Sequence, residues 1–154
     1  MGILLRNYQR ECVSNVVKFA SQGVLEQLIV QPTGCGKTAT AAAIPAALHI
    51  PRDRSTLFIV QRTEQSEQTK RAFLQANPDL RVQIEMGDRK ADADADIVIA
   101  SIQPLSVPGR REKFDPARFG VLIIDEAHHA TSPSYRRVID YYRTNPALKI
   151  LGVT

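Results

Sequence analysis

Only two cysteines, Cys12 and Cys35, occur in the 154 residues. That excludes a disulfide framework and suits a reducing compartment, which we read as the cytoplasm. The three histidines have no spaced Cys or Asp partners, so no zinc-ligand pattern forms. No apolar run approaches the roughly 20 residues that a membrane span needs, and no membrane partner is expected. The opening MGILLRNYQRE is charged too soon for a secretory signal. It also has Asn7 where a myristoylation pattern requires Ser or Thr. No internal repeat is visible.

What is present suits one folded domain. Hydrophobic residues make up 44% of the chain, enough for a core, and charged residues 23%, which excludes broad disorder. The length is that of a single domain. A net charge of +4 permits a polyanionic partner without requiring one.

Six short apolar runs punctuate the chain: LIV at 28–30, LFIV at 57–60, VQI at 82–84, DIVIAS at 96–101, VLII at 121–124 and KILGV at 149–153. Several are continuous rather than alternating, which predicts strands buried on both faces of a parallel sheet. Helical patterns fall between them. NYQRECVSNVVKFASQG spaces Tyr8, Cys12, Val16 and Phe19 along one helical face, with Gly23 as a stop. The Ala-rich GKTATAAAIPAALH follows the first strand and should kink at Pro45. TEQSEQTKRAFLQA follows the second, and SPSYRRVIDYYRTN follows the fifth with Ser132 as N-cap before Pro133. Strand and helix in alternation predict an α/β fold with a mainly parallel sheet and helices on both faces. The acidic KADADAD at 90–96 reads as a solvated loop.

The stretch QPTGCGKT, Gln31 to Thr38, comes directly after the first apolar run. Gly34 and Gly36 let the backbone curl until successive N–H groups face one concavity. A helix starting near Lys37 adds unpaired N–H donors and the positive end of its dipole. Lys37 supplies a cation for β- and γ-phosphates, and the Thr38 hydroxyl a ligand for Mg²⁺. Thr33 and Cys35 complete the cradle, Cys35 as a small filler. The strict pattern GxxxxGK[ST] places glycine where this chain has Gln31.

VLII ends in Asp125-Glu126-Ala127-His128. A carboxylate at the end of a buried strand is costly unless it meets a cation. In a parallel sheet that end is also where the phosphate loop lies. Asp125 can therefore hold Mg²⁺, and Glu126 can orient and deprotonate an attacking water.

QPTGCGKT and DEAH resemble motifs I and II of the superfamily 2 helicases and translocases. LRNYQRE is similar to the adenine-reading Q motif, with Gln9 as its glutamine. LFIVQRTEQSEQT resembles motif Ia, IASIQPL motif Ib, and LGVT the start of motif III. The wording is closest to DNA translocases of bacteria and phage, including restriction-enzyme motor subunits. The resemblance implies a RecA-like P-loop NTPase fold, ATP and Mg²⁺ as cofactors, and nucleic acid as partner, DNA before RNA. It implies that His128 couples motif II to motif III through Thr154. It assigns Gln61, Arg62, Ser101 and Gln103 to backbone contacts with a single or duplex strand, without base specificity. Arg110, Arg111 and Lys113 form a basic loop that either extends that track or is simply solvated. His49 and His129 read as surface residues. Residues 1–154 are then expected to be the first RecA-like domain, broken off within motif III, with the second domain and its arginine finger lying outside them. A nucleotide-dependent switch and a small-molecule kinase share the P-loop. The first has no use for Glu126, and the second would need an acceptor lid that the sequence does not offer.

Overall fold

A computed structural model describes residues 2–154. Six parallel strands form one sheet: β1 (Glu26–Ile29), β2 (Ser55–Val60), β3 (Val82–Glu85), β4 (Ile97–Ser101), β5 (Phe119–Asp125) and β6 (Lys149–Val153). Their order is β1-β6-β5-β2-β4-β3. The helices are α1 (Asn7–Ser21), α2 (Lys37–Ala47), α3 (Ser66–Ala76), α4 (Ile102–Ser106) and α5 (Pro133–Tyr142). The α/β expectation holds, and each predicted strand is present.

Every residue of β2 is buried, as a central strand covered on both sides must be. Phe58 and Val60 face the layer of α1, α2 and α3, where the Phe58 ring lies 4.9 Å from that of Phe73. Leu57 and Ile59 face the layer of α4 and α5, with Leu105, Val138 and Tyr142. The buried aromatics Phe119 and Tyr142 meet edge to face at 5.4 Å.

The sheet's edge corrects one reading. The run at 28–30 predicted a strand buried on both faces, whereas β1 ends at Ile29, and Leu28 and Val30 are 63% and 73% exposed. Ile29 packs into the α1–α2–α3 layer, whereas Leu28, its neighbour on the other face of β1, stays largely exposed. α1 is also rotated from its predicted face. Gln9, Val13 and Val16 point inward, while Tyr8 and Phe19 are exposed. Pro45 lies two residues before the end of α2, in its buried face, so the missing donor falls where the helix is already stopping. Ser132 occupies the N-cap position of α5 with Pro133 behind it, but its side chain makes no capping bond.

Two charged segments are less solvated than they read. In the acidic run, Asp94 pairs with Arg81 at 2.9 Å, and Asp96 accepts the Arg81 N–H, which ties the loop to the start of β3. In the basic loop, Arg110 and Lys113 reach the buried Glu85 at 2.9 and 2.7 Å, and Arg111 pairs with Glu112 at 3.0 Å. These cations are neutralised within the domain, so the basic loop adds little free charge to a nucleic-acid track. Burial pushes the Glu85 carboxyl up, but hydrogen bonds from Lys113, the Ala91 N–H and Arg110 outweigh it and hold the group below its ordinary value.

A carboxylate depressed on folding contributes stability above its unfolded pKa and loses it as pH falls through the lower, folded value. Glu85→Gln leaves two cations facing a neutral amide. Its expected loss is about 3 kcal/mol at neutral pH, the low end for a broken buried pair because the cations are partly wet. Urea unfolding at pH 7 and below pH about 4 measures both effects. The difference between wild type and variant should shrink in acid.

Candidate active site

The strand register builds the site. Ile29 of β1 pairs with Val153 of β6, and Val153 pairs with Asp125 of β5. The three residues form one row across the carboxyl ends of neighbouring strands. At about 4.8 Å per strand, the phosphate-loop strand and the acidic strand end about 10 Å apart. One step further, the Gln31 N–H donates to the Thr154 carbonyl at 2.8 Å, and the Thr154 N–H donates to the Ile29 carbonyl at 2.9 Å. The chain therefore leaves β1 directly above this row.

Gly34 and Gly36 adopt φ of 81° and 74°, the left-handed region that curls the backbone into a concavity. Gly36 is the N-cap of α2, and Lys37 and Thr38 are its first residues. Thr33 and Gly34 are exposed, and Cys35, Lys37 and Thr38 half-buried. Gln31, which stands at the strict pattern's first glycine, is buried. Its amide donates to Thr40 Oγ1 at 3.2 Å, fastening the start of the loop to α2.

Gln9 sits beneath the loop, 4% exposed. Its Oε1 accepts the Arg6 N–H at 2.8 Å, and its Nε2 donates to the carbonyls of Cys35 and Gly36, each at 3.0 Å. Tyr8 adds a hydroxyl donated to the Cys35 carbonyl at 2.8 Å. Both ends of the Gln9 amide are engaged by backbone, so in this conformation it braces the phosphate loop. A Cβ at Gly36 would lie 2.6 Å from Gln9 Nε2. The glycine is thus required by its φ and by this contact together.

On the acidic side, Asp125 Oδ1 accepts the Glu126 N–H at 3.0 Å. Burial raises the Asp125 carboxyl above its ordinary value. The Glu126 charge adds to this, against the hydrogen bond from the Glu126 N–H and the influence of the nearby Lys37 and His128 side chains. Such a carboxyl favours a cation beside it. Thr38 and Asp125 offer only oxygen donors, which suits Mg²⁺, an ion that keeps several waters and takes its remaining ligands from phosphate. Glu126 has φ 51° and ψ 52°, left-handed for a residue other than glycine. Its carbonyl accepts the His129 N–H at 3.0 Å, opening a 3₁₀ turn over Ala127–Thr131. That turn rests on β6: a Cβ at Gly152 would meet the Ala127 Cβ at 2.7 Å.

His128 Nδ1 lies 3.1 Å from Thr154 Oγ1 and 3.5 Å from Glu126 Oε2. Beside it, His129 turns inward instead of to solvent. Its Nε2 is 2.8 Å from Gln61 Nε2, and its ring lies 6.4 Å from the stacked ring of Tyr135. Of the residues assigned to a strand, Gln61 is half-buried and Arg62 and Gln103 are exposed. Ser101 is 3% exposed, so its side chain is not presented to a ligand. The sequence reads Tyr8 as a helix-face residue and His129 as a surface one, and nothing in residue type or spacing marks Thr40, Tyr135 or Gly152.

A family model described as "Type III restriction enzyme, res subunit" matches residues 2–154. The chain belongs to this family. It thus shares the N-terminal RecA-like domain of superfamily 2 helicases, as its motifs suggested. A protein of Schizosaccharomyces pombe provisionally named mitochondrial ATP-dependent helicase irc3 is 33% identical over 99% of this chain and 26% of its own length. The type I restriction enzyme EcoAI endonuclease subunit of Escherichia coli is 28% identical over 89% of this chain and 18% of its own. The chain therefore spans about a quarter or less of these relatives. A nuclease-deletion mutant of the type ISP restriction-modification enzyme LlaGI, solved with a DNA substrate mimic, superposes with a TM-score of 0.72. It is 22% identical and covers 99% of this chain and 17% of that one. The shared fold is RecA-like. Among the described residues, no helix is long and apolar enough to cross a membrane.

The contact of Gly152 with Ala127 gives a direct expectation. Gly152→Ala should destabilise the domain by about 1–3 kcal/mol, the usual cost of overpacking. Adding Ala127→Gly should recover most of that loss. Chemical denaturation of both variants measures it, and additive losses would show that the turn does not rest on this glycine.

Proposed function

We propose that this chain is the ATP-binding motor domain of an ATP-dependent helicase or translocase that acts on nucleic acid, DNA in preference to RNA. The observation that carries this reading is the single row formed by Ile29, Val153 and Asp125, which sets about 10 Å apart the strand ends that lead into the curled glycine loop and the carboxylate pair. A phosphate chain with its metal fits that span.

In this reading the N–H groups of Thr33 to Thr38 hold the phosphates, and Lys37 places its ammonium on the β- and γ-oxygens. Thr38 and Asp125 hold Mg²⁺, which supplies positive charge to the phosphate oxygens when bound. Glu126 orients a water and accepts its proton. Gln9 and Tyr8 keep the loop in its receptive shape, and Gln9 turns to adenine only by releasing one of its backbone contacts. His128 carries the state of Glu126 to Thr154. Gln61, Arg62 and Gln103 face the strand, with Ser101 contributing only by its backbone. The free cysteines suit the cytoplasm.

Phosphoryl transfer also needs a cation on the developing charge. An arginine supplied from outside the P-loop domain is worth roughly 10³–10⁵ in rate. We place that arginine in a second RecA-like domain beyond these residues, because the relatives are several times longer. Glu126 makes this reading stronger than a passive nucleotide switch, which needs no water-orienting carboxylate.

Two outcomes follow. Residues 1–154 alone should release phosphate from Mg·ATP far below about 1 s⁻¹, the low end of ordinary enzyme rates. A phosphate-release assay decides, and faster turnover would mean that the domain completes its own site. Labelled single strands should bind weakly, without sequence preference. The slope of log affinity on log salt should be shallow, about −0.7 per phosphate contact, because Arg110 and Lys113 are already paired. Fluorescence anisotropy across a salt series measures it, and tight salt-resistant binding would contradict the reading.

A further inference from the structure

We propose that His129 is a positioning residue that couples the engagement of a strand at Gln61 to the placement of Glu126. The inference rests on the motor reading above and adds to it a residue that neither touches nucleotide nor contacts the strand. Gln61 leaves the end of β2, whereas Glu126 leaves the end of β5. These loops come together at one polar contact, the 2.8 Å approach of Gln61 Nε2 to His129 Nε2. With the Gln61 amide donating, that ring nitrogen is the unprotonated acceptor. A ligand that recruits the Gln61 amide competes directly for this bond.

The other side of His129 leads to the carboxylates. Its main-chain N–H donates to the Glu126 carbonyl at 3.0 Å, and its ring lies 4.2 Å from that of His128 and 6.4 Å from that of Tyr135. A shift of the ring therefore acts on the backbone of Glu126. That residue is held left-handed, a conformation that costs an ordinary residue about 1–2 kcal/mol and that relaxes when its restraints loosen. We take this strained residue as the element whose two arrangements would carry the coupling. Tyr135 supplies a second, independent sign. It is 5% exposed, and its hydroxyl has no hydrogen-bond partner. A buried hydroxyl without a protein partner calls for one, either an ordered water or a group that reaches it in another arrangement of the site. In the proposal, movement of the neighbouring His129 ring, 6.4 Å away, is what admits that partner.

Coupling of this kind is reciprocal and measurable without turnover. The test is the dissociation constant of labelled oligothymidine for the 154-residue chain, with and without saturating Mg²⁺ and a non-hydrolysable ATP analogue. For the wild type the two constants should differ by about fivefold or more, the lower end of usual coupling. His129→Phe keeps a ring against His128 and Tyr135 but removes the nitrogen that meets Gln61. It should bring the ratio to within twofold of one, with an unchanged melting temperature. Gln61→Met should do the same, and the double variant should go no further. His129→Ala serves as a second variant should the phenylalanine not fold. A wild-type ratio retained by the His129 variants overturns the proposal, as does a ratio of one in the wild type, while nucleotide and strand binding leave the motor reading standing. If the wild type binds neither ligand, the motor reading itself fails and the coupling with it.

Discussion

Three strands ending in register hold the rest of this structure in place. β1, β6 and β5 are parallel, so their carboxyl ends face one way, and the pairs Ile29–Val153 and Val153–Asp125 bring those ends level. Slipping one strand by a single residue would turn each of its side chains to the other face. The burial of Ile29, Ile123, Leu151 and Val153 against the α1–α2–α3 layer prevents that. Hydrophobic packing thus fixes a spacing between two polar loops, neither of which could set it alone.

Around this row the backbone is held in conformations that need support. The left-handed Gly34 and Gly36 are inexpensive because they lack side chains, but Glu126 has no such excuse. Its conformation persists because its N–H is taken by Asp125, its carbonyl by the His129 N–H, and the following Ala127 lies against Gly152. Gln9 does similar work on the phosphate loop, with its oxygen on Arg6 and its nitrogen on Cys35 and Gly36. Both loops are held in shape by contacts within the domain. Preorganised donors and charges are what phosphoryl transfer relies on.

Much of this was legible in the sequence because it follows from short-range chemistry. Continuous runs such as LFIV read as strands buried on both faces, and Gly34, Gly36 and Lys37 declare their loop by residue type. Edges were harder to read. The run at Leu28–Val30 looks as apolar as the one at 57–60, but which strand is left at the edge of the sheet is a matter of strand order, which no local pattern encodes. Long-range polar pairing was equally hidden. Arg110 and Lys113 read as free charge until the fold brings Glu85, some 25 residues earlier, beneath them. His129 read as surface because its partner Gln61 lies 68 positions away.

The central claim is that the loop at Gly34–Thr38 and the carboxylates at Asp125 and Glu126 form one binding site for a nucleotide with its metal. Calorimetric titration of Mg·ATP into wild type and Lys37→Ala tests it most directly. The lost ammonium–phosphate interaction is charge-assisted and worth on the order of 1.5–3 kcal/mol, so the variant should bind at least about tenfold more weakly while melting at the wild-type temperature. Removing magnesium should weaken the wild type as well. Equal affinity for wild type and variant, or no binding by the wild type, would contradict the account.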